Sequence, residues 1–187
     1  MTLDELRTRI PDYAKDLRLN LESVLGETGA PGLSPQQIAM TALASAIASR
    51  HAPLTAALSQ WAAGLLGTAE LQGARTAAAV MGMTNVYYRF THLVGDTEYA
   101  RMRAGLRMNA LANPGCEKAG FELASLAVSA VNGCGMCMDS HEKVLRQHGV
   151  SSQGVQSAVR IAAVVHAVAV VLEQEAAASA TALAVAA

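Results

Sequence analysis

Apolar residues recur every three or four positions along most of this chain. The first clear case is the stripe formed by Tyr13, Leu17, Leu21 and Val24, which would lie on one face of a helix. No segment shows the strict alternation of apolar and polar residues that is typical of a half-buried strand. The pattern therefore predicts an all-α protein.

Capping and turn residues divide the apolar pattern into separate helices. Ser34 followed by Pro35 is typical of a helix start, and Pro53 favours another. Thr68 and one of the serines at 151–152 are predicted to cap two more helices. The tail that follows the last predicted helix is rich in alanine and fits either a fraying helix or a disordered segment. The predicted helices cover residues 3–9, 11–25, 35–50, 53–67, 68–91, 99–106, 118–131, 134–148 and 152–175.

Composition supports the helical prediction. Apolar residues make up 52% of the 187 residues but aromatic residues only 4%, and most of the surplus is alanine. Alanine is the best helix former and buries little area, so it favours closely packed helices over a β-sandwich. The apolar content excludes an intrinsically disordered chain. The net charge of −1 gives no general attraction to nucleic acid or anionic lipid.

The ends of the chain bear on where the protein works. The N-terminal segment is charged throughout and lacks the apolar core of a signal peptide. The longest apolar run, residues 161–172, contains His166 and is too short to cross a bilayer. We therefore expect a cytoplasmic protein with neither a membrane nor a nucleic-acid partner. Its three cysteines are too few for a disulfide-stapled secreted scaffold.

Two short matches at an offset of 84 residues indicate an internal duplication. Ser45-Ala46-Ile47 corresponds to Ser129-Ala130-Val131, and Ala78-Ala79-Val80 corresponds to Ala162-Ala163-Val164. We interpret the chain as one domain over residues 1–187. It would comprise a structural half, a catalytic half and an Ala-rich tail, over about 1–95, 96–175 and 176–187.

The second half carries the residues with obvious chemistry. Cys134 and Cys137 form a C-x-x-C pair, and His141 follows at a spacing that places all three on one helical face. The Asn-Gly pair before Cys134 starts that helix, whose unpaired amide groups would lower the pKa of a thiol. Glu122 would reach the same pocket as a proton acceptor if its helix packs antiparallel to this one. The corresponding positions of the first half carry none of these residue types.

Three interpretations of this cluster are open from the residue types alone. It is a redox-active pair, a Zn²⁺ site with Glu122 or His148 as fourth ligand, or a pair of inert core thiols. A thioredoxin-like arrangement fits less well, because it requires the cysteine pair to follow a strand.

Residues beyond the site extend the pattern to a known family. The spacing E-x11-C-x2-C-x3-H, from Glu122 to His141, resembles that of the AhpD alkylhydroperoxidases, within the wider AhpD-like and carboxymuconolactone decarboxylase group. Further segments similar to AhpD are PDYAKDLRLNL near the start, MGMTNVYYR at 81–89 and LRMNALANPG at 106–115. The resemblance covers nearly the whole chain and favours the redox interpretation over zinc.

The resemblance implies a role for each site residue. Cys137 would be the peroxidatic thiolate that passes through sulfenic acid, and Cys134 the resolving thiol and proton donor, so that the two form a disulfide. Glu122 and His141 would form the proton relay. The best-known members have histidine just before the second cysteine. This chain has Met136 there, so any role of that histidine is absent or replaced.

The resemblance also implies an all-helical homotrimer that works as an antioxidant thiol peroxidase without a bound cofactor or metal. Its disulfide would be re-reduced by dihydrolipoamide on the lipoyl-bearing acyltransferase of a 2-oxo acid dehydrogenase complex, together with dihydrolipoamide dehydrogenase. The peroxiredoxin AhpC would be a further partner, which this protein reduces. The alternatives are a zinc-binding helical interaction module without turnover and a decarboxylase of the same superfamily. Decarboxylase chemistry does not explain the cysteine pair.

Outside the site, the simplest interpretations are structural. We expect Cys116 to be a bystander in a turn, and His148 to be a cation at a helix end. His166 is expected to be a hydrogen-bonded histidine of the core or of an interface. Met81, like several other methionines, is expected to fill a gap in the helical core.

Overall fold

The structure is a computed structural model that describes the backbone of residues 1–186 and the side chains of residues 1–181. The prediction of an all-α fold is confirmed: the described residues form α-helices and one short 3-10 turn over Asp12–Ala14, with no strand among them. The helices are α1 (Leu3–Arg7), α2 (Lys15–Val24), α3 (Pro35–Ala48), α4 (Ala52–Ala63), α5 (Thr68–Leu93), α6 (Thr97–Arg101), α7 (Asn109–Ala112), α8 (Lys118–Val131), α9 (Gly135–Gln147) and α10 (Ser152–Ala186).

Side-chain caps explain where several helices begin. Ser34 and Gln37 form a capping box, in which each side chain accepts a hydrogen bond from the other residue's amide. Nδ1 of His51 accepts a hydrogen bond from the amide of Leu54 at the start of α4. The Glu117 carboxylate accepts hydrogen bonds from two amides in the first turn of α8. These caps satisfy amide groups that have no partner within the helix.

Helices α3 and α8 form the centre of the molecule. They pack on each other, and both also pack on α5 and α10. Each is buried along most of its length, and both are rich in alanine. Small side chains at a contact allow two helix axes to approach closely. Helix α9, which carries Cys137, packs on α8 of this central pair and on α5.

The helix boundaries agree with an internal duplication. Displaced by 84 residues along the chain, the first residues of α3, α4 and α5 fall within one residue of the starts of α8, α9 and α10. The packing agrees as well. If α3, α4 and α5 correspond to α8, α9 and α10, then α3–α10 and α8–α5 are equivalent pairs, and both pairs are in contact. Likewise, α3 packs on α4, and α8 packs on α9. The division into a structural and a catalytic half stays a prediction, and its boundary near residue 95 falls between these two three-helix units.

The region between the two units differs from the prediction. Helix α6 covers Thr97–Arg101 and not 99–106. The chain leaves the helical conformation at Met102, which is extended, and Gly105 adopts a φ of 67° that no right-handed helix accommodates. Helix α6 therefore ends at Arg101, although the sequence pattern predicted a helix to residue 106.

Two predictions for the first half of the chain also differ from the structure. Tyr13 does not join Leu21 and Val24 in the core, because it is exposed and its hydroxyl donates to Glu175 at 2.9 Å. Thr68 does not cap α5 but is its first residue, and Gly67 occupies the cap position.

Helix α10 is longer than predicted. It continues beyond residue 175 to Ala186, so the described part of the Ala-rich tail is helical; residue 187 lies outside the described residues. Over Ser152–Thr181 the helix is long and apolar enough to cross a membrane by length and composition alone. The apolar run over residues 161–172 is too short to have indicated this from the sequence. Half of its most apolar part is buried within the protein, against α2, α3 and α8. A core helix meets the same criteria, so this segment is weak evidence for a membrane span.

Candidate active site

The site lies where α8 ends and α9 begins. Asn132 ends α8, and Gly133 follows with a φ of 68°, in the left-handed region that favours glycine. The amides of Gly133 and Cys134 donate back to the carbonyls of Ala130 and Ser129, which is a Schellman motif. This motif reverses the chain within two residues, so that α9 packs against α8.

Cys134 and Cys137 form a disulfide at the start of α9. Cys134 is the N-cap residue with extended backbone, and Cys137 lies in the first helical turn. Their surroundings differ. Cys134 is completely buried, whereas Cys137 is 6% exposed and lines a cavity. An incoming molecule therefore reaches the sulfur of Cys137 and not that of Cys134.

The carboxylate of Glu122 connects α8 to α9. Oε2 of Glu122 lies 2.6 Å from Nδ1 of His141, and Oε1 lies 2.9 Å from Nζ of Lys118, one turn earlier on α8. Glu122 and His141 are both buried, and a buried carboxylate is costly unless it is paired and hydrogen-bonded. The structure therefore brings Glu122 and His141 together and adds Lys118, which the sequence analysis did not single out.

These contacts determine the charge of Glu122. Burial raises the pKa of this carboxyl, but the hydrogen bonds and positive charges of His141 and Lys118 outweigh burial and hold the pKa below its usual value. Glu122 is therefore an ionised carboxylate at neutral pH and can accept a proton.

The second ring nitrogen of His141 faces a thioether. Nε2 lies 3.2 Å from Sδ of Met81 on α5. The hydroxyls of Thr84 and Ser129 each lie 3.5 Å from the same sulfur, and Nδ2 of Asn85 lies 3.7 Å from it. A thioether sulfur is a weak acceptor, so the imidazole is held on both sides, by the carboxylate at Nδ1 and the sulfur at Nε2. Met81 is a core residue, as expected, but it is also a partner of the site.

A cavity of about 360 Å³ opens beside the disulfide. Methionine, leucine and tyrosine side chains give it a mainly apolar wall, which suits a molecule with an apolar body and one reactive polar group. The residues that line it are Met81, Thr84, Tyr88, Met108, Leu111, Met136, Cys137, Ser140 and His141.

Met136 borders this cavity and a second one of about 220 Å³, which Tyr99 and Met102 also line. A thioether has no titratable proton. At the position of the family's histidine, this chain therefore supplies apolar surface and no proton relay.

The other residues considered from the sequence do not line the cavity beside the disulfide. Cys116 is a half-buried free thiol, and burial raises its pKa, so that it stays protonated as expected of a bystander. His148 is the C-cap residue of α9, the helix-end position predicted for it, and is exposed. His166 is exposed and not part of the core, and its Nδ1 lies 3.3 Å from Oγ of Ser49.

The zinc interpretation finds no ligand set in the part of the chain that the structure describes. No group of three or more His, Cys, Asp or Glu side chains there is placed to hold a metal ion. The two cysteine sulfurs are bonded to each other, and the exposed His148 lies at the far end of α9 from them. The arrangement of a buried acid–base pair beside a cysteine pair fits thiol chemistry instead.

Comparison with known proteins agrees with this geometry. Residues 97–184 match the carboxymuconolactone decarboxylase family. An alkyl hydroperoxide reductase AhpD from Gluconacetobacter diazotrophicus is 54% identical over 177 residues, which cover 95% of this chain and 96% of that protein. A protein of the same name from Bradyrhizobium sp. is 54% identical over 92% of this chain and 94% of its own length. Another from Streptomyces coelicolor is 53% identical over 94% of this chain and 97% of its own length. This chain therefore belongs to the AhpD alkyl hydroperoxide reductases, within the carboxymuconolactone decarboxylase family.

Proposed function

We propose that this protein is a thiol peroxidase that reduces alkyl hydroperoxides with its cysteine pair. The observation that carries the proposal is the position of Cys137. Cys137 lines an apolar cavity that His141 also lines, and the completely buried Cys134 is bonded to it. The names of the relatives support the same reaction.

The reaction begins with the reduced pair. The thiolate of Cys137 attacks one oxygen of the hydroperoxide, the O–O bond breaks, and Cys137 becomes a sulfenic acid while the alkoxide takes a proton and leaves as alcohol. The thiol of Cys134 then attacks the sulfenic sulfur, releases water and forms the Cys134–Cys137 disulfide. The two electrons that reduce the peroxide come from the cysteine pair.

Two features support Cys137 as the attacking thiolate. It lies in the first turn of α9, where free amide groups and the helix dipole stabilise a negative charge. Glu122 and His141 provide a base for the thiol proton and an acid for the leaving alkoxide, which is typically worth about 10²–10⁴-fold in rate. Since Nε2 of His141 contacts Met81 in the disulfide form, exchange with Cys137 requires the ring to leave that weak contact or to act through a water.

Re-reduction requires a dithiol that can enter the cavity. Because Cys134 is completely buried, the dithiol attacks the sulfur of Cys137, and Cys134 leaves as the first free thiol. Dihydrolipoamide is a slender dithiol on a flexible arm and suits this access. We assign its supply to the acyltransferase of a 2-oxo acid dehydrogenase complex with dihydrolipoamide dehydrogenase. The reduced pair would also pass electrons to the peroxiredoxin AhpC. The proposal includes a cytoplasmic location and a homotrimeric assembly.

A turnover assay tests the proposed reaction. Purified protein is given an alkyl hydroperoxide and dihydrolipoamide, and peroxide consumption is followed for native protein, Cys137→Ser and Cys116→Ser. We expect turnover by the native protein and by Cys116→Ser, whose side chain does not line the cavity beside Cys137, and none by Cys137→Ser. Native protein without turnover, or Cys137→Ser with native turnover, would contradict the proposal.

A further inference from the structure

Lys118 makes two contacts that join separate parts of the site. It is the first residue of α8, and its Nζ lies 2.9 Å from Oε1 of Glu122, one helical turn further on. The same Nζ donates to the carbonyl oxygen of Leu111 at 2.5 Å. Leu111 belongs to the short helix α7 and lines the cavity beside Cys137. One ammonium group therefore connects the buried carboxylate to the wall of the cavity.

We propose that Lys118 is a positioning residue that keeps Glu122 ionised and oriented toward His141, and that fixes α7 against the cavity. This inference rests on the proposed peroxidase function for its catalytic meaning, although the effect on Glu122 itself does not depend on that function.

The charges around Glu122 support the first part. Lys118 from its own helix and His141 from α9 are the titratable groups that act on this carboxylate, and α3, α5 and α10 add none within the described residues. Without Lys118, one buried carboxylate oxygen would lose its partner, and His141 would be the remaining source of positive charge. Burial would then favour the protonated acid, which cannot accept a further proton.

The two carboxylate oxygens of Glu122 have different partners, which supports its orientation toward His141. Lys118 occupies Oε1 and leaves Oε2 for His141, so the plane of the carboxylate is fixed at both ends. An ammonium held by a backbone carbonyl is itself restrained, which makes it a better anchor than a free surface lysine.

The contact with Leu111 supports the second part. Helix α7 has only four residues, from Asn109 to Ala112, and has no side-chain cap at its start. So short a helix is not stable by itself and depends on tertiary contacts. The bond from Lys118 supplies such a contact at the point where α7 forms the cavity wall.

The test compares three substitutions. Lys118→Met keeps the length of the side chain but removes the charge, and Lys118→Arg keeps the charge. Lys143→Met is the matched control, because Lys143 forms an equivalent pair with Asp139 on α9, spaced four residues apart and exposed to solvent. Circular dichroism establishes that each variant is folded. The primary readout is the titration of the Glu122 carboxyl followed by carbon-13 NMR, in the oxidised and the reduced protein.

We expect Lys118→Met to raise the midpoint of the Glu122 titration by about one to three pH units, the usual effect of an adjacent opposite charge. Lys118→Arg should return it toward the native midpoint, and Lys143→Met should leave it unchanged. In the turnover assay, the acid limb of the pH profile should move upward by the same amount in Lys118→Met. A Glu122 midpoint that is the same in Lys118→Met and Lys143→Met would overturn the inference. If native protein shows no turnover, the proposed function fails, but the titration still decides the role of Lys118.

Discussion

At the residue scale, the site depends on the partner of each polar atom of Glu122 and His141. The carboxylate of Glu122 divides its oxygens between a lysine and a histidine, and the imidazole of His141 divides its nitrogens between a carboxylate and a thioether. The resulting chain runs from Lys118 through Glu122 and His141 to Met81. Its members come from three helices, α8, α9 and α5.

The first prediction concerns Glu122. In Glu122→Gln the pair with His141 loses its charge and its base, so fewer Cys137 thiols are ionised at neutral pH. We expect peroxide reduction at pH 7 to fall by roughly 10²-fold or more, the usual value of general base assistance. The loss should shrink as the pH rises toward the intrinsic thiol pKa of about 8.5. A pH profile of native and variant protein measures this, and near-native activity at pH 7 would show that the carboxylate is structural.

The pKa of Glu122 gives the sign of the acid dependence in the native protein. Because this pKa is lowered in the folded state, the carboxylate contributes stability above the ordinary pKa of a glutamate, and that stability is lost as the pH falls through the lowered value. Activity that depends on the ionised form is lost in the same direction. The acid limb of the native profile of peroxide reduction against pH should therefore lie below the ordinary glutamate pKa.

At the element scale, the site exists because α8 and α9 are joined by a two-residue reversal. The left-handed Gly133 and the Schellman hydrogen bonds place Cys134 at the N-cap and Cys137 in the first turn of α9. The same reversal lets α9 carry His141 back to Glu122. The cysteine pair and the acid–base pair are thus aligned by one backbone motif.

The second prediction tests that motif. In Gly133→Ala the added Cβ meets nothing within 4 Å, so the cost comes only from the positive φ, and we expect a loss of about 1–2 kcal/mol in the free energy of unfolding. Gly135→Ala is the control, because its Cβ also meets open space but it lies inside α9, where alanine is favoured. Urea denaturation of both variants measures the difference. Equal unfolding free energies would show that the left-handed turn does not constrain the chain.

The element scale also shows what the sequence could and could not predict. The C-x-x-C spacing, the Asn-Gly break and the spacing to His141 all lie within ten residues of the sequence. They therefore predicted that Cys134, Cys137 and His141 lie together at one helix. Lys118 is also local, four residues before Glu122, and the spacing of opposite charges could have identified it. Met81 could not be identified in this way, because its contact with His141 joins residues that lie far apart in the chain. The short helices α6 and α7 were missed or misplaced because tertiary contacts, and not their own propensity, define them.

At the scale of the whole molecule, the predicted duplication would separate a structural half from a catalytic half. The first three-helix unit has Ile38, Arg50 and Pro53 at the positions of Glu122, Cys134 and Cys137, so it lacks the site. It contributes packing instead, and it supplies Met81 from α5 to the other unit. If the predicted division holds, the first unit supports the unit that carries the cysteine pair.

The third prediction concerns assembly. Several large apolar side chains on α5 and the following segment are exposed in the single chain, among them Val86, Phe90 and Leu93. Burying them would add to the modest apolar area that an alanine-rich core provides. We expect a homotrimer in sedimentation velocity at micromolar concentration, and Phe90→Glu should weaken it. A native protein that sediments as a monomer would contradict the predicted assembly and leave the account of the site intact.

The central claim is that Cys137 is the cysteine that peroxide oxidises. The most direct test is a single turnover with one equivalent of hydroperoxide, followed by a sulfenic-acid trap and mass spectrometry, on Cys134→Ser and Cys137→Ser. We predict a trapped sulfenic acid on Cys137 in Cys134→Ser, and no comparable oxidation of Cys134 in Cys137→Ser, because Cys134 is completely buried. Oxidation of Cys137→Ser at the rate of the native protein would contradict the account.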